Sequence, residues 1–328
     1  MPTRFPPSDH CDGELFFNPA GRRPAPGFAA LPRWWAQRLF LGQGTPWPET
    51  VPAPAIPRPT APVAAGEVAV TFIGHSTFLL QLPGLNLLTD PMFSPRASPF
   101  SWAGPKRVRP PALALADLPR IDVVLVSHNH YDHLDLPSLR WLARERRPRI
   151  ITTLGNRAWL EARGVGAVAE LDWWQAVAAA PGLEVTCTPA QHFAARTPWD
   201  RCRTLWGGFV LATPAGRIFF AGDSGYSDDF RAIGARLGPF ALALLPIGAY
   251  EPRWFMAPVH CTPDEAVRIH LEIGARRSVA MHFGTFQLTD EGINAPLEAL
   301  AAARMAHGVD PEEFSALAFG ETRRLPLG

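Results

Sequence analysis

The sequence predicts an α/β protein in which two sheets pack face to face with helices outside them. From Val68 onward, short apolar strands alternate with helical patterns along the chain, as they do in layered α/β domains. Several of these strands end in His or Asp, which places polar side chains where strand ends meet. Residues 1–66 differ because they are rich in Pro, Gly and Ala, so we expect an irregular N-terminal segment before one folded domain over residues 67–328.

Composition narrows the class of protein. The chain has 328 residues, 47% of them apolar, which is enough for a large core. The formal net charge is +1, so nucleic acid is not an expected partner. The four cysteines show no metal or disulfide spacing, and neither an export signal nor a membrane-spanning run is visible. We therefore expect a cytoplasmic chain that does not cross a membrane.

One stretch of the N-terminal segment, residues 31–41, predicts a helix. Pro32 lies where a first helical turn tolerates proline, and apolar residues including Leu31 and Leu39 recur at helical spacing. The helix either packs on the core or lies in a lipid interface, where Arg33 and Arg38 would meet headgroups. In the second interpretation the candidate membrane contacts are Trp34, Trp35, Phe40 and Leu41.

The remaining elements follow from hydrophobic periodicity and from turn residues. Pro83-Gly84 and Thr213 to Gly216 predict hairpin turns. Strands are expected at residues 68–73, 77–82, 85–89, 121–126, 150–153, 167–171, 183–188, 205–212, 217–221, 242–246 and 278–281. Helices are expected at residues 136–146, 156–162, 227–237, 263–273 and 296–307.

The stretch after the strand at 121–126 predicts a metal site, because it reads H-x-H-x-D-H. Side chains alternate along an extended chain, so His128 and His130 point the same way and can bind one cation. Asp132 and His133 follow where the chain turns, and they can reach a second cation beside the first. A surface cluster of histidines is the alternative interpretation of this stretch alone.

Three further predicted strands end in the residue types that such a site lacks. His192 and His282 supply an imidazole for each cation, and the carboxylate of Asp223 can bridge both. His75 and Asp90, at two earlier strand ends, could orient a metal-bound imidazole. The predicted ligand set is His128, His130, Asp132, His133, His192, Asp223 and His282.

This donor set favours hydrolysis. Paired divalent ions with open positions lower the pKa of a bridging water and draw charge from substrate oxygens, at phosphorus or at a carbonyl. A di-iron centre on the same ligands stays open as an alternative. A Ser/His/Asp triad is not supported, because the chain has no G-x-S-x-G motif.

At these residues the chain resembles the metallo-β-lactamase superfamily, whose fold is an αββα sandwich with a dinuclear site between the sheet edges. Over residues 68–325 it is most similar to the family of N-acylphosphatidylethanolamine-hydrolysing phospholipases D. Beyond the ligands, the resemblance rests on LTDP at 88–91, GPKR at 104–107, residues 127–135, LDWW at 171–174, GDSGY at 222–226, PIGAYEPRWFM at 246–256 and HFGTF at 282–286.

The resemblance implies that residues 67–328 form a metallo-β-lactamase-like hydrolase domain with two zinc ions. His128, His130 and His192 would hold one ion, Asp132, His133 and His282 the other, and Asp223 would bridge them. Asp132 and His260 would be the catalytic residues. The role implied for His260 is leaving-group protonation or phosphate contact, and a helix cap is the alternative.

The implied reaction releases an N-acylethanolamine from N-acylphosphatidylethanolamine and leaves phosphatidic acid. The expected partners are a phospholipid and a peripheral membrane contact at the inner face, and a homodimer stays open. One rival function is a zinc lactonase or other ester hydrolase resembling the ascorbate-lactonase branch. A metal-bound scaffold without turnover is another, and a nuclease using the basic run at 140–149 is a third, although that run is typical of a solvated helix face.

Overall fold

In the part of the chain that the structure describes, fourteen strands in two seven-stranded sheets form the frame of the fold. The computed structural model describes residues 4–19, 27–59 and 61–328. The strands are β1 (Glu67–Gly74), β2 (Thr77–Leu82), β3 (Leu85–Thr89), β4 (Val123–Val126), β5 (Arg149–Thr153), β6 (Val168–Leu171), β7 (Ala176–Ala180), β8 (Leu183–Thr188), β9 (Gly208–Thr213), β10 (Gly216–Phe220), β11 (Leu242–Pro246), β12 (Ser278–Met281), β13 (Phe314–Ser315) and β14 (Thr322–Pro326).

The strand order is β14-β1-β2-β3-β4-β5-β6 in the first sheet and β13-β12-β11-β10-β9-β8-β7 in the second. Both sheets are mixed: β3 to β6 are parallel, as are β10 to β13. The helices are α1 (Leu31–Phe40), α2 (Leu136–Glu145), α3 (Arg157–Glu161), α4 (Asp229–Leu237), α5 (Arg253–Met256), α6 (Pro263–Glu272) and α7 (Ala295–His307). This arrangement confirms the expected αββα sandwich.

The main core joins both sheets. Phe72 and Val123 of the first sheet belong to one buried cluster with Phe219 and Leu244 of the second, and each of the four is fully buried. Burying one such side chain stabilises the fold by about 1.5–3 kcal/mol relative to leaving it exposed. The docking of the two sheets therefore depends on many such side chains.

Parallel pairing brings the functional strand ends to one edge. β3, β4 and β5 run in the same direction, and β10, β11 and β12 do so in the second sheet. Because carboxyl ends of parallel strands meet at one edge of a sheet, the loops that follow them lie close together. The residues after β4, β10 and β12 are those that the sequence singled out as ligands.

Most predicted elements are present, and the errors have physical causes. Five strands, β2, β3, β8, β11 and β12, occupy the predicted residues. The strand expected at 205–212 begins only at Gly208. Hydrophobic periodicity did not predict β7, β13, β14 or α5. β7 reads AVAAA and shows weak β-propensity, and β13 has only two residues.

The predicted helix of the N-terminal segment is confirmed as α1. Its Trp34 is buried, stacks on Phe255 at a ring-centroid distance of 5.5 Å, and donates from its indole nitrogen to Asp290 Oδ2 at 2.9 Å. The packing interpretation is therefore correct for this side chain, and the prediction that Trp34 contacts the membrane is wrong. The neighbouring apolar side chains are exposed: Trp35 (65%), Leu39 (76%), Phe40 (78%) and Leu41 (66%).

The rest of the N-terminal segment is mostly irregular where it is described, and part of it packs on the sandwich. Cys11 and Phe16 belong to the main core, and His10 Nε2 lies 2.8 Å from Asp172 Oδ1. The division of the chain at residues 66 and 67 stays a prediction. Among the described residues, no helix combines the length and the apolarity that crossing a bilayer requires.

Candidate metal centre

The structure brings all seven predicted ligands to one edge of the sandwich, and it adds His75 and His260 to them. Among the described residues, the donor atoms fall into four overlapping groups, within each of which they lie no more than 4.8 Å apart. The groups are His75, Asp132, His133 and His282; His128, His130 and His192; His128, His133 and Asp223; and His192, Asp223 and His260.

Three imidazoles form the first half of the centre. His130 Nδ1 lies 2.8 Å from His128 Nε2 and 3.3 Å from His192 Nε2. Burial, together with the neighbouring histidines, lowers the pKa of His130 to about 3, and burial lowers that of His192 to about 4. These rings are therefore neutral at neutral pH, with lone pairs available to a cation.

Two carboxylates and two imidazoles form the second half. Asp132 Oδ2 lies 3.3 Å from His133 Nε2 and 3.4 Å from His282 Nε2. Asp223 Oδ2 lies 3.0 Å and 3.1 Å from the same two nitrogens. The same Asp223 oxygen is 4.0 Å from His128 Nε2. Asp223 thus lies between the two halves, as a bridging ligand must.

The charges of the second half balance one another. Burial lowers the pKa of His133, but the carboxylates of Asp223, Asp132 and Asp90 outweigh it and raise that pKa well above its usual value. Burial likewise lowers the pKa of His282, yet Asp223 and Asp132 raise it to about 9. Burial raises the pKa of Asp223, and the two histidines hold it well below its usual range. In the metal-free protein this half therefore holds imidazolium and carboxylate groups.

Several buried donor atoms show that these residues fit a divalent metal centre. Asp223 Oδ1 has no hydrogen-bond partner among the described residues. His133 Nε2 and His282 Nε2 lie 3.0–3.4 Å from carboxylate oxygens but make no hydrogen bond of good geometry. Leaving a buried polar atom unsatisfied costs about 1–3 kcal/mol, and imidazole nitrogens with carboxylate oxygens are the ligands that such a cation prefers. A bound cation would satisfy these atoms.

Hydrogen bonds fix the orientation of the imidazoles. His133 Nδ1 donates to Asp90 Oδ2 at 2.6 Å, and Ser127 Oγ donates to the same oxygen at 2.6 Å. His128 Nδ1 lies 2.9 Å from Ser127 Oγ, and His192 Nδ1 lies 2.9 Å from the carbonyl oxygen of Val259. Each bond leaves Nε2 free for a ligand. Asp90 therefore orients imidazoles, as the sequence analysis expected.

His75 acts on a carboxylate instead of an imidazole. Its Nε2 lies 3.0 Å from Asp132 Oδ2, so it orients Asp132. His75, Asp90 and His282 have positive φ values of 58°, 30° and 61°. Such values are uncommon for residues other than Gly and are often found at functional sites.

His260 lies beside the centre but does not cap the helix that follows. The cap of α6 is Thr262, whose side chain accepts from Glu265 N at 3.1 Å, while Glu265 accepts from Thr262 N at 2.8 Å. The His260 ring is 5.2 Å from that of His192, and its Nδ1 is buried without a partner among the described residues. Burial lowers its pKa well below the usual value.

A pocket opens onto this centre. His130, Asp132, His192, Asp223 and His260 line it on the side of the donor cluster. The other wall of the pocket could not be predicted from local sequence patterns, because it combines residues far apart in the chain. That wall consists of Gly27, Leu31, Phe193, Arg201, Phe255, Met256, Val259 and Leu288.

Comparison with known proteins identifies the family. The model of the "Beta-lactamase superfamily domain" matches residues 85–283. The chain belongs to the metallo-β-lactamase superfamily. This confirms the resemblance seen in the sequence, and relatives named as metal-dependent hydrolases support the expected hydrolase.

Relatives in this superfamily include two named phospholipases. The N-acyl-phosphatidylethanolamine-hydrolyzing phospholipase D 1 of Caenorhabditis elegans is 43% identical over 66% of this chain and 64% of its own length. The mitochondrial enzyme of that name from Saccharomyces cerevisiae is 37% identical over 70% of this chain and 50% of its own length. The chain thus spans less than two thirds of either relative.

Other superfamily members have different names. A metal-dependent hydrolase of Pyrobaculum neutrophilum is 29% identical over 72% of this chain and 94% of its own length. The crystal structure of isothiocyanate hydrolase from Delia radicum gut bacteria aligns with a TM-score of 0.65 and 21% identity, over 79% of this chain and all of that one. The similarity to this hydrolase shows that the two chains share a fold.

Proposed function

We propose that this chain is a dinuclear zinc phosphodiesterase of phospholipase D type. Its substrates would be N-acylphosphatidylethanolamine-like phospholipids, and its products an N-acylethanolamine and phosphatidic acid. The observation that carries the proposal is one pocket in which a cluster of metal donors faces an apolar wall containing a guanidinium. The two related phospholipases support the same substrate class.

The ligand assignment follows the two halves of the centre. His128, His130 and His192 would hold one zinc ion, and Asp132, His133 and His282 would hold the other, with Asp223 between them. Two zinc ions bound there would lower the pKa of a water molecule and withdraw charge from the oxygens of the substrate.

Asp132 and His260 are the proposed catalytic residues. Asp132 is held by His75 at 3.0 Å and lines the pocket, so its carboxylate has a fixed position beside the substrate. The low pKa of His260 keeps its ring neutral. A neutral imidazole can donate a hydrogen bond to a phosphoryl oxygen, so phosphate contact is better supported than leaving-group protonation.

The opposite wall of the pocket suits a lipid with an anionic headgroup. Arg201 Cζ lies 4.0 Å from the ring centroid of Phe193, whose ring is 4.6 Å from that of His130. A phosphodiester next to the donors would therefore lie near a positive charge. Phe255 and Met256 offer an apolar surface for an acyl chain.

A peripheral membrane contact would bring the pocket to its substrate. Leu31, in the first turn of α1, lines the pocket, and Trp35, Phe40 and Leu41 of the same region are exposed. Exposed aromatic and aliphatic side chains with nearby arginines are typical of helices that lie in a lipid interface. We place this contact at the inner face of the membrane, in a cytoplasmic setting; a homodimer also stays a prediction.

Product identification tests the proposal directly. Purified protein loaded with zinc is incubated with N-acylphosphatidylethanolamine micelles and, separately, with a panel of lactones. Mass spectrometry should find an N-acylethanolamine and phosphatidic acid, and metal analysis should find about two zinc ions per chain. Turnover of lactones alone would favour an ester hydrolase, and metal binding without turnover of either would favour a binding scaffold.

A further inference from the structure

Arg196 joins two ligand-bearing segments of the centre. It lies four residues after His192, and its Nη1 donates to the carbonyl oxygen of Asn129 at 2.8 Å and to that of Leu134 at 2.9 Å. These two carbonyls flank the stretch that carries His130. One guanidinium thus connects the segment of His192 to both ends of the loop at 130–133.

The same guanidinium also packs on the middle of that loop. Arg196 Cζ lies 3.9 Å from the ring centroid of Tyr131 and 4.8 Å from that of Trp159 in α3. The backbone of Arg196 is itself held in place, since its N–H donates to Asp200 Oδ1 at 2.9 Å. The contact is therefore made from a fixed position at three points of the loop.

The loop needs such support because it has little regular structure. Between β4 and α2 the backbone bonds within it include His133 N to His130 O at 3.1 Å and Leu134 N to His130 O at 2.8 Å. Asn129 and Leu134 are buried, so carbonyls there are costly to leave unpaired. A side chain that satisfies both carbonyls also limits the positions that His130, Asp132 and His133 can take.

We propose that Arg196 is a positioning residue that holds the ligand loop in its metal-binding geometry and so sets the metal affinity of the centre. The proposal rests on the proposed metal centre. Groups that orient metal ligands typically change metal affinity by about 10–100-fold when they are removed. Arg196 would act in this way through the backbone of the loop.

Arg163 offers a matched control. Its Cζ lies 4.1 Å from the ring centroid of Trp159, the ring that Arg196 also contacts, and its Nη1 donates to Trp159 O at 3.2 Å. It thus has a guanidinium stacked on the same tryptophan and a bond to a backbone carbonyl, but that carbonyl lies in α3. A general effect of removing a stacked arginine would be the same in both variants.

The test compares wild type with Arg196→Gln, Arg196→Lys and Arg163→Gln. Zinc affinity is measured by competition with a chelating dye, the Co²⁺ absorption spectrum reports the ligand geometry, and the melting temperature of the metal-free form reports stability. Arg196→Gln should weaken zinc binding by at least about 10-fold and change the Co²⁺ spectrum. Arg196→Lys should retain part of the affinity, because an ammonium can still donate to both carbonyls. Arg163→Gln should bind zinc as wild type does.

Equal zinc affinity and an unchanged Co²⁺ spectrum in both Arg196 variants would overturn the proposal, even if their melting temperatures fall. If Arg196→Gln does not fold, Arg196→Lys decides the question by the same two measurements. Failure of the wild-type protein to bind zinc would instead reject the metal centre itself.

Discussion

His133 Nδ1 and Asp90 Oδ2 are 2.6 Å apart, and both side chains are fully buried. Asp90 also accepts from Ser127 Oγ and N, and Ser127 Oγ lies 2.9 Å from His128 Nδ1. One carboxylate thus orients the His133 imidazole directly and the His128 imidazole through Ser127. Asp90→Asn should weaken metal binding by about 10–100-fold and reduce stability by roughly 3 kcal/mol, as breaking a buried ionic pair does. Metal content after dialysis and denaturant unfolding measure the two effects. The exposed Asp117→Asn is the control, and equal metal content in both variants would contradict the assignment.

Metal binding should release protons from one half of the centre. In the metal-free protein His133 and His282 have raised pKa values, about 9 for His282, so both are protonated at neutral pH. A metal must displace these protons, whereas His130 and His192 are already neutral. Apparent affinity should therefore rise with pH until it passes the raised pKa values. Calorimetry in buffers of different ionisation enthalpy should show about two protons released at neutral pH, and release of none would refute this distribution of charge.

Gly222 should be intolerant of any side chain. Its φ is +62°, and an added Cβ would lie 2.7 Å from Gly207 O and 2.9 Å from Ser127 Cβ. Gly222→Ala should thus displace the neighbouring Asp223, lower the metal content and cost more than the backbone strain alone, which is about 1–2 kcal/mol. Gly84→Ala is the control, because Gly84 has a φ of +73° and no atom within 4 Å of the added Cβ. Equal losses of stability would contradict a packing role for Gly222.

Arg201→Gln should reduce the rate at which the protein hydrolyses an anionic phospholipid. Removing the guanidinium from the pocket wall should lower kcat/KM for N-acylphosphatidylethanolamine by about 10-fold, the loss expected for one charge-assisted hydrogen bond. Zinc content should not change. Arg203→Gln, at an exposed position nearby, serves as the control. An unchanged kcat/KM in Arg201→Gln would remove this residue from substrate binding.

The exposed apolar residues of α1 should govern vesicle binding. A Trp35→Ser, Phe40→Ser variant should sediment with phospholipid vesicles at least about 10-fold less well than wild type, because it loses much of the apolar area available for insertion. Hydrolysis of a monomeric short-chain phospholipid should stay the same. Met305→Ser, on α7 and 82% exposed, controls for loss of a surface apolar group. Full vesicle binding by the double variant would exclude α1 as the contact.

Sequence patterns located the candidate ligands better than they predicted the orientation of their side chains. His128 and His130 could be placed because alternation on an extended chain is local, and His192, Asp223 and His282 because each follows a strong strand pattern. The left-handed backbone at His75 and His282 could not be predicted, since only the surrounding tertiary structure holds a residue with a Cβ in that region.

The elements that sequence patterns did not predict form through contacts with residues far away in the chain. β14 contains two arginines in five residues, and it is a strand because it pairs with β1 at the sheet edge. The pocket wall was missed for the same reason, since Leu31 and Phe255 come together only through the packing of α1 on α5. Contacts between residues this far apart in the chain leave no local signature.

The donors of the centre come from both sheets: those at 128–133 follow β4, while Asp223 and His282 follow β10 and β12. Ions that bind these donors gain their full affinity only when the two sheets are docked, so sheet docking and ion binding form a single linked equilibrium. The bound ions would hold the two sheets together at this edge of the sandwich. Chelation should accordingly loosen that rim first, and faster amide exchange at the ends of β4, β10 and β12 would appear while the opposite rim stays protected.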